Sequence, residues 1–213
     1  VVVVITDWVA GTRSPLGEVR FVLGKPGENN VEMNAILAEN DFPLAFPETV
    51  LNECADINPN IPEKEIRSRR DFRNVTTFTI DPADAKDFDD AISYEKLENG
   101  LHRVGVHIAD VSYYVKPKSA LDNEAFDRGT SVYYADRVVP MLPKELSNGI
   151  CSLNPDEDRL AFSCLMDISF DGKLMGYDFK KTVIRSRIKG VYSEINKILD
   201  GEETEEIAEK YKD

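Results

Sequence analysis

Residues 1–9 and 18–23 are dense in valine, isoleucine and phenylalanine and read as two strands parted by a Gly/Ser/Pro loop. The chain opens inside a strand, with neither methionine nor a charged-then-apolar leader, so the pattern predicts a piece of a longer protein beginning near the end of a small barrel. The apolar spacing then becomes helical over 30–39 and 47–55, where Pro47 suits a first turn and Val50, Leu51 and Cys54 share one face. Asn58-Pro59-Asn60-Ile61-Pro62 breaks that pattern and predicts a linker continuing through a basic stretch to residue 74. Residues 75–80 are again strand-like, and 91–94 and 101–109 flank Asn99-Gly100, a strong hairpin signal. A helix is predicted over 119–126, with Ser119 as N-cap and Gly129 beyond its end, and a short one over 143–148 closed by Gly149. Two long strands, 160–170 and 173–187, turn at Asp171-Gly172. A helix over 192–199 stops at Gly201, and a last one over 204–213 lacks a visible packing partner. The reading is α+β, divided into 1–58, a basic linker 59–74, and a mixed domain over 75–213.

Composition narrows the classes. With 213 residues, 42% of them hydrophobic, the chain can bury a genuine core. No apolar run approaches a membrane span. Three cysteines without C-x-x-C spacing predict a reducing, cytoplasmic setting, and two histidines are too few for a zinc site, so any metal would be oxygen-ligated. The net charge of −13 argues against a nucleic-acid partner until its distribution is seen. Residues 200–213 hold seven acids against two lysines, and 81–90 hold five aspartates against one lysine, so two short segments carry nine of the thirteen charges. Basic clusters flank the aspartates: Lys64, Arg67, Arg69, Arg70 and Arg73 before them, Lys180, Lys181, Arg185, Arg187 and Lys189 after them. Such clusters are ordinarily solvated faces, and nucleic-acid contact is the sharper alternative.

Candidate chemistry concentrates in Thr79-Ile80-Asp81-Pro82-Ala83-Asp84-Ala85-Lys86-Asp87-Phe88-Asp89-Asp90-Ala91. Five carboxylates this close repel one another unless they point apart into water or hold cations. Asp81 ends an apolar strand, Pro82 stiffens the turn, and Asp90 leads into the next strand, which aims the acids at a shared cleft. An EF-hand fails on spacing: counted from Asp87 the sixth residue is Ile92 instead of glycine, and counted from Asp81 the third is Ala83. Phosphodiester hydrolysis by two divalent ions does call for several carboxylates without histidine or cysteine, and those ions would overcome the repulsion between the site and RNA.

The pattern Asp81-x5-Asp87-x-Asp89-Asp90-Ala91 resembles the signature of the ribonuclease II / ribonuclease R (RNB) catalytic domain. The resemblance continues through Val106-His107-Ile108-Ala109-Asp110-Val111, Arg128-Gly129-Thr130-Ser131-Val132-Tyr133, Val139-Pro140-Met141-Leu142-Pro143 and Leu146-Ser147-Asn148-Gly149-Ile150-Cys151-Ser152-Leu153-Asn154, closer to ribonuclease R. It implies the amino-terminal part of a mixed RNB-type domain, preceded by the last strands of a cold-shock/OB-type barrel and a helical connector. It further implies processive 3′→5′ hydrolysis of single-stranded RNA to nucleoside 5′-monophosphates, with magnesium, manganese being the alternative. On the matching positions Asp81, Asp87, Asp89 and Asp90 are catalytic and metal-binding, Asp89 weighing most on chemistry. Tyr133 stacks on a base, and Arg128 contacts RNA. Without the resemblance Tyr133 would be an ordinary strand tyrosine. Asp84 is read as solvated, His107 as structural or supporting because it faces away from Val106 and Ile108, and Asp110 as a strand-end residue without an assigned role. The family's downstream arginine motifs and C-terminal RNA-binding barrel do not occur in the chain, so this piece alone is expected to be weakly active or inactive. The alternatives are a family member that only binds RNA, against which the four aspartates argue, and a calcium-binding or adhesive module, which the missing glycine-bearing loop disfavours.

Overall fold

In the computed structural model, which describes residues 1–134 and 137–212, the valine-rich opening forms β1 (Val2–Asp7) and β2 (Leu16–Phe21), paired antiparallel as a separate ribbon. Val3, Ile5, Val19 and Phe21 are exposed on it. Helices α1 (Asn29–Glu39) and α2 (Glu48–Ala55) follow. Pro47 is the N-cap of α2, which buries Val50 and Cys54. Leu51, expected on the same buried face, is instead 46% exposed, so the inward stripe is narrower than the spacing implied.

The basic stretch 59–74 is not a free linker. It contains α3 (Glu63–Ser68) and the short strand β3 (Arg70–Asp71), and Phe72 just beyond them is buried. The Phe72 N–H donates to Val183 O at 2.8 Å and its ring lies 5.5 Å from that of His107. Burying a phenylalanine is worth roughly 2–3 kcal/mol, which holds in place a segment that its prolines mark only as a break.

The strands β4 (Thr77–Asp81), β5 (Asp90–Lys96) and β6 (His102–Ala109) run antiparallel, with a turn in which Gly100 adopts φ +83° and Asn99 Oδ1 accepts from the Leu101 N–H. Helices α4 (Val111–Tyr114) and α5 (Ala120–Arg128) come next; Ser119 Oγ accepts from the Asp122 N–H, and Gly129, at φ +72°, ends α5 as its missing Cβ allows. After the small pair β7 (Val132–Tyr133) and β8 (Val138–Val139), a helical turn covers Glu145–Ile150 and kinks at Gly149, whose φ −102° and ψ −110° are non-helical, so the glycine breaks the helix as expected. The long hairpin β9 (Asp158–Ile168) and β10 (Leu174–Arg185) leads to β11 (Ile188–Val191), α6 (Tyr192–Asp200) and α7 (Glu205–Lys210). The last helix does have a partner: Ile207 is buried, and the Tyr211 hydroxyl donates to Glu194 of α6 and accepts from the Val191 N–H. Asp213, where that helix was expected to end, lies outside the described residues.

The main sheet has the order β11-β4-β5-β6-β9-β10-β3, with its two outermost pairings parallel and the rest antiparallel. One face buries Ala91, Ala109, Ala161, Leu165 and Ile184 against Phe72, Phe88 and Leu153. At the other, Leu160 and Val183 pack under Val50, Cys54, Tyr114, Leu121, Leu146 and Cys151.

A polar ladder crosses four strands inside this core. His107 Nε2 lies 2.8 Å from Ser93 Oγ, His107 Nδ1 is 2.6 Å from Ser163 Oγ, and Ser163 Oγ is 2.6 Å from Thr182 Oγ1. His107 is thus a fully buried structural residue whose pKa burial pulls down to about 4. Its unfolded-state pKa is about 6.5, so the native state refuses a proton that the unfolded chain accepts, and stability is lost as pH falls from about 6.5 to 4, by on the order of 3 kcal/mol. Urea unfolding at pH 7, 5.5 and 4 should show this slope in the wild type and its loss in His107→Gln; equal slopes would contradict the assignment.

Candidate active site

Asp81 is the last residue of β4 and Asp90 the first of β5. The two strands pair only at Thr77–Ser93 and Phe78–Ile92, so they part toward their aspartate ends and leave room for the loop 82–89. That loop is fixed by its backbone. Phe88 is buried, its N–H donates to Ser152 Oγ at 3.0 Å, and Ser152 Oγ donates in turn to Lys86 O at 3.0 Å. The Leu153 N–H donates to Phe88 O and the Ala109 N–H to Asp89 O, each at 2.9 Å. On the other flank Lys189 Nζ donates to Ala83 O and Ala85 O, both at 2.9 Å. With Phe88 turned into the core, Asp89 and Asp90 are exposed and Asp81 and Asp87 half-buried, while Asp84 is exposed as expected.

The four carboxylates feel one another. Although Asp89 is open to solvent on one side, the protein around it strips part of its hydration and raises its pKa, and Asp87, Asp90 and Asp81 raise it further. Burial likewise raises that of Asp81; the Thr79 hydroxyl nearby and the Lys189 charge oppose this, while Asp90 and Asp87 add to it. Asp81 Oδ2 is buried without a hydrogen-bond partner. Tyr133, on β7, donates its hydroxyl to Asp87 Oδ2 at 2.6 Å, a bond that pushes its pKa up to about 12, and its ring is 63% exposed beside the aspartates. As the side chains stand, no group of three or more His, Cys, Asp or Glu among the described residues is arranged to hold a metal ion. The donor chemistry nevertheless fits a hard cation: oxygens only, mutually repelling, with a buried Asp81 oxygen that has no well-formed hydrogen bond and only the Thr79 hydroxyl beside it.

Other expected contacts resolve differently. Arg128 is engaged within the fold: its Nε pairs with Glu124 at 2.8 Å, Nη1 and Nη2 donate to Pro140 O and Ala45 O, and its guanidinium sits 3.8 Å from the Phe46 ring centroid, leaving the side chain 4% exposed. These partners tie α5 to the loops before α2 and after β8. Parallel pairing of Thr182 with Arg70 brings the two basic clusters to one edge, but Arg73 and Arg185 are paired with Asp158, and Lys180 with Asp178. Asp110 gains a role the sequence did not assign, a buried ion pair with Arg69 at 2.7 Å. The clamp by Ser152 and Lys189 was also missed. Ser152 lay inside a quoted motif, but nothing local says that it reaches a loop 64 residues earlier.

Residues 69–213 match the RNB domain and residues 1–47 the cold shock domain. The chain belongs to the RNB-domain family. This RNB chain is 47% identical over 187 residues to Ribonuclease R 1 of Lactococcus lactis, covering 88% of the chain and 23% of that protein. It is 44% identical over 215 residues to Ribonuclease R of Thermotoga maritima, covering all of the chain and 30% of that protein. Its fold matches Mycoplasma genitalium RNase R in complex with double-stranded RNA, with TM-score 0.85 and 27% identity over 97% of this chain and 37% of the other. Yeast Ssd1, a pseudonuclease, shares the fold at TM-score 0.69 and 19% identity, over 92% of this chain and 25% of the other. The RNB chain therefore spans less than a third of the length of these two curated relatives. The order of a cold-shock end, helices and a mixed RNB domain is the α+β arrangement expected from the sequence.

Proposed function

We propose that the chain supplies the acidic half of the active site of a processive 3′→5′ exoribonuclease that hydrolyses single-stranded RNA to nucleoside 5′-monophosphates in the cytoplasm. The observation that carries this reading is the convergence of Asp81, Asp87, Asp89 and Asp90 at one splayed strand end, close enough for each of the other three to raise the pKa of Asp89. These four carboxylates would hold magnesium, or manganese in its place; when bound, such ions supply Lewis acidity toward the scissile phosphate and lower the pKa of water. The protein's own work is to pin the loop backbone through Ser152 and Lys189, so that the loop bearing Asp87 and Asp89 is held beside Asp81 and Asp90. Tyr133, with its hydroxyl anchored on Asp87 and its ring exposed, offers a base at the RNA 3′ end a stacking surface worth about 1–3 kcal/mol. Names of the relatives support a ribonuclease, and RNA is present in the M. genitalium complex.

The rival reading, an RNA-binding protein without catalysis, has the pseudonuclease fold as its precedent. Chelation separates the two. The full-length parent should release 5′-mononucleotides from 3′-accessible single-stranded RNA, stop in EDTA, and resume with added Mg2+ or Mn2+. Binding of RNA with no metal-dependent product would hand the function to the rival. Among the described residues no helix is long and apolar enough to cross a membrane.

A further inference from the structure

Strand β11 lies parallel to β4, with Lys189 opposite Thr79 and Val191 opposite Asp81. The approach is close at Gly190, where a Cβ would come within 2.6 Å of Thr79 O. Glycine therefore lets the neighbouring lysine lie tight along the strand that carries Asp81. From there Lys189 places its ammonium over the Phe88 ring, Nζ 5.0 Å from the centroid, and divides two hydrogen bonds between Ala83 O and Ala85 O. Ser152 grips only the Lys86–Phe88 side of the loop. Residues 82–85 have the Ala85 N–H to Pro82 O bond of 3.2 Å, the packing of Ala85 against the Phe72 and Phe88 cluster, and the lysine, which supplies two of their hydrogen bonds.

We infer that Lys189 is a positioning residue for the aspartate centre: it fixes the first half of the loop and thereby sets how Asp81 and Asp87 are spaced for a divalent ion. The inference rests on the metal-dependent reading above and adds to it a residue about a hundred positions from the aspartates. Two roles for this cation predict opposite signs. If Lys189 only balances charge, its neutralisation leaves the carboxylates more negative and divalent binding tightens. If it positions the loop, neutralisation loosens Asp81 relative to Asp87 and binding weakens, by about ten-fold or more on the scale of residues that orient metal ligands.

The test is a Mn2+ titration of the metal-free full-length parent without RNA, following the free-ion electron paramagnetic resonance signal, for wild type, Lys189→Met and Lys189→Arg. Weaker binding by folded Lys189→Met is expected, with rescue by Lys189→Arg, which retains a charge and several donors. RNA affinity in EDTA should stay unchanged in both variants, as a general structural defect would not allow. Equal or tighter Mn2+ binding by Lys189→Met overturns the inference while leaving the nuclease reading intact. No Mn2+ binding by the wild type removes both, and that titration alone tells the two failures apart. Should circular dichroism show Lys189→Met unfolded, Lys189→Gln takes its place under the same criteria.

Discussion

Asp89→Asn in the full-length parent is expected to slow mononucleotide release by at least about a thousand-fold, roughly 4 kcal/mol of barrier, while RNA affinity in EDTA stays within a few-fold. The reason is local. Asp89 is exposed, its backbone oxygen is held by the Ala109 N–H, and its carboxylate is the one whose pKa all three neighbours raise. Asparagine keeps the shape and removes the charge that a divalent ion needs. Removing one of four repelling charges also relieves the fold, so thermal stability should be equal or slightly higher, which separates lost chemistry from lost structure. Single-turnover hydrolysis beside filter binding makes the comparison. A variant cutting within ten-fold of wild type would take Asp89 out of the chemistry.

Arg69→Met should cause the largest stability loss, about 3–5 kcal/mol at neutral pH, because it strips a buried carboxylate of its close ion-pair partner and leaves it the Ser112 hydroxyl and, at 4.0 Å, Lys181. Arg69 is 1% exposed and Asp110 4%; the guanidinium also pairs with Glu65 at 2.7 Å and lies 5.5 Å from the Tyr113 ring centroid. In the wild type, burial pushes the Asp110 pKa up, but hydrogen bonds from Ser112 and Arg69 and the arginine charge outweigh it, so the net shift is downward. A lowered folded-state pKa gives stability that is present above the unfolded value and is lost as pH falls through the folded one. Without Arg69 the burial effect loses two of the influences that oppose it, a hydrogen bond and a charge, and Asp110 takes up a proton at higher pH. The gap between wild type and variant should therefore be widest near pH 7 and narrow toward pH 4. Urea unfolding at both values tests this; a gap below 1 kcal/mol at pH 7 would show that the pair is not structurally important.

What the sequence disclosed follows from the range of the forces involved. Asn99-Gly100, the Ser119 cap and Gly201 announced their elements because turn and cap preferences act over a few residues. The aspartates were legible because like charges at fixed spacing need a chemical reason. Residues 59–74 misled because prolines report local breaks, whereas Phe72 and Arg69 are held by β10, Asp110 and Ala161, far along the chain. The partners of Arg128 were hidden for a related reason: its place beside the Tyr133 motif suggested a ligand, and nothing local announces the three backbone and side-chain oxygens and the Phe46 ring that hold it in this fold. Lys189 stood among basic residues of a strand, and only the parallel pairing of β11 with β4 gives it a target.

That pairing also orders events during synthesis. Phe78 meets Ile188 and Arg70 meets Thr182, partners about 110 residues apart in the chain, so both margins of the sheet depend on late-arriving strands. Contacts of such sequence separation are slow to form because a long loop must close first. At roughly 5–20 residues per second of translation, Asp81 emerges about 5–20 s before Lys189. A nascent chain thus carries its aspartates well before β11 arrives, and the Lys189 side of their loop is the last to be held.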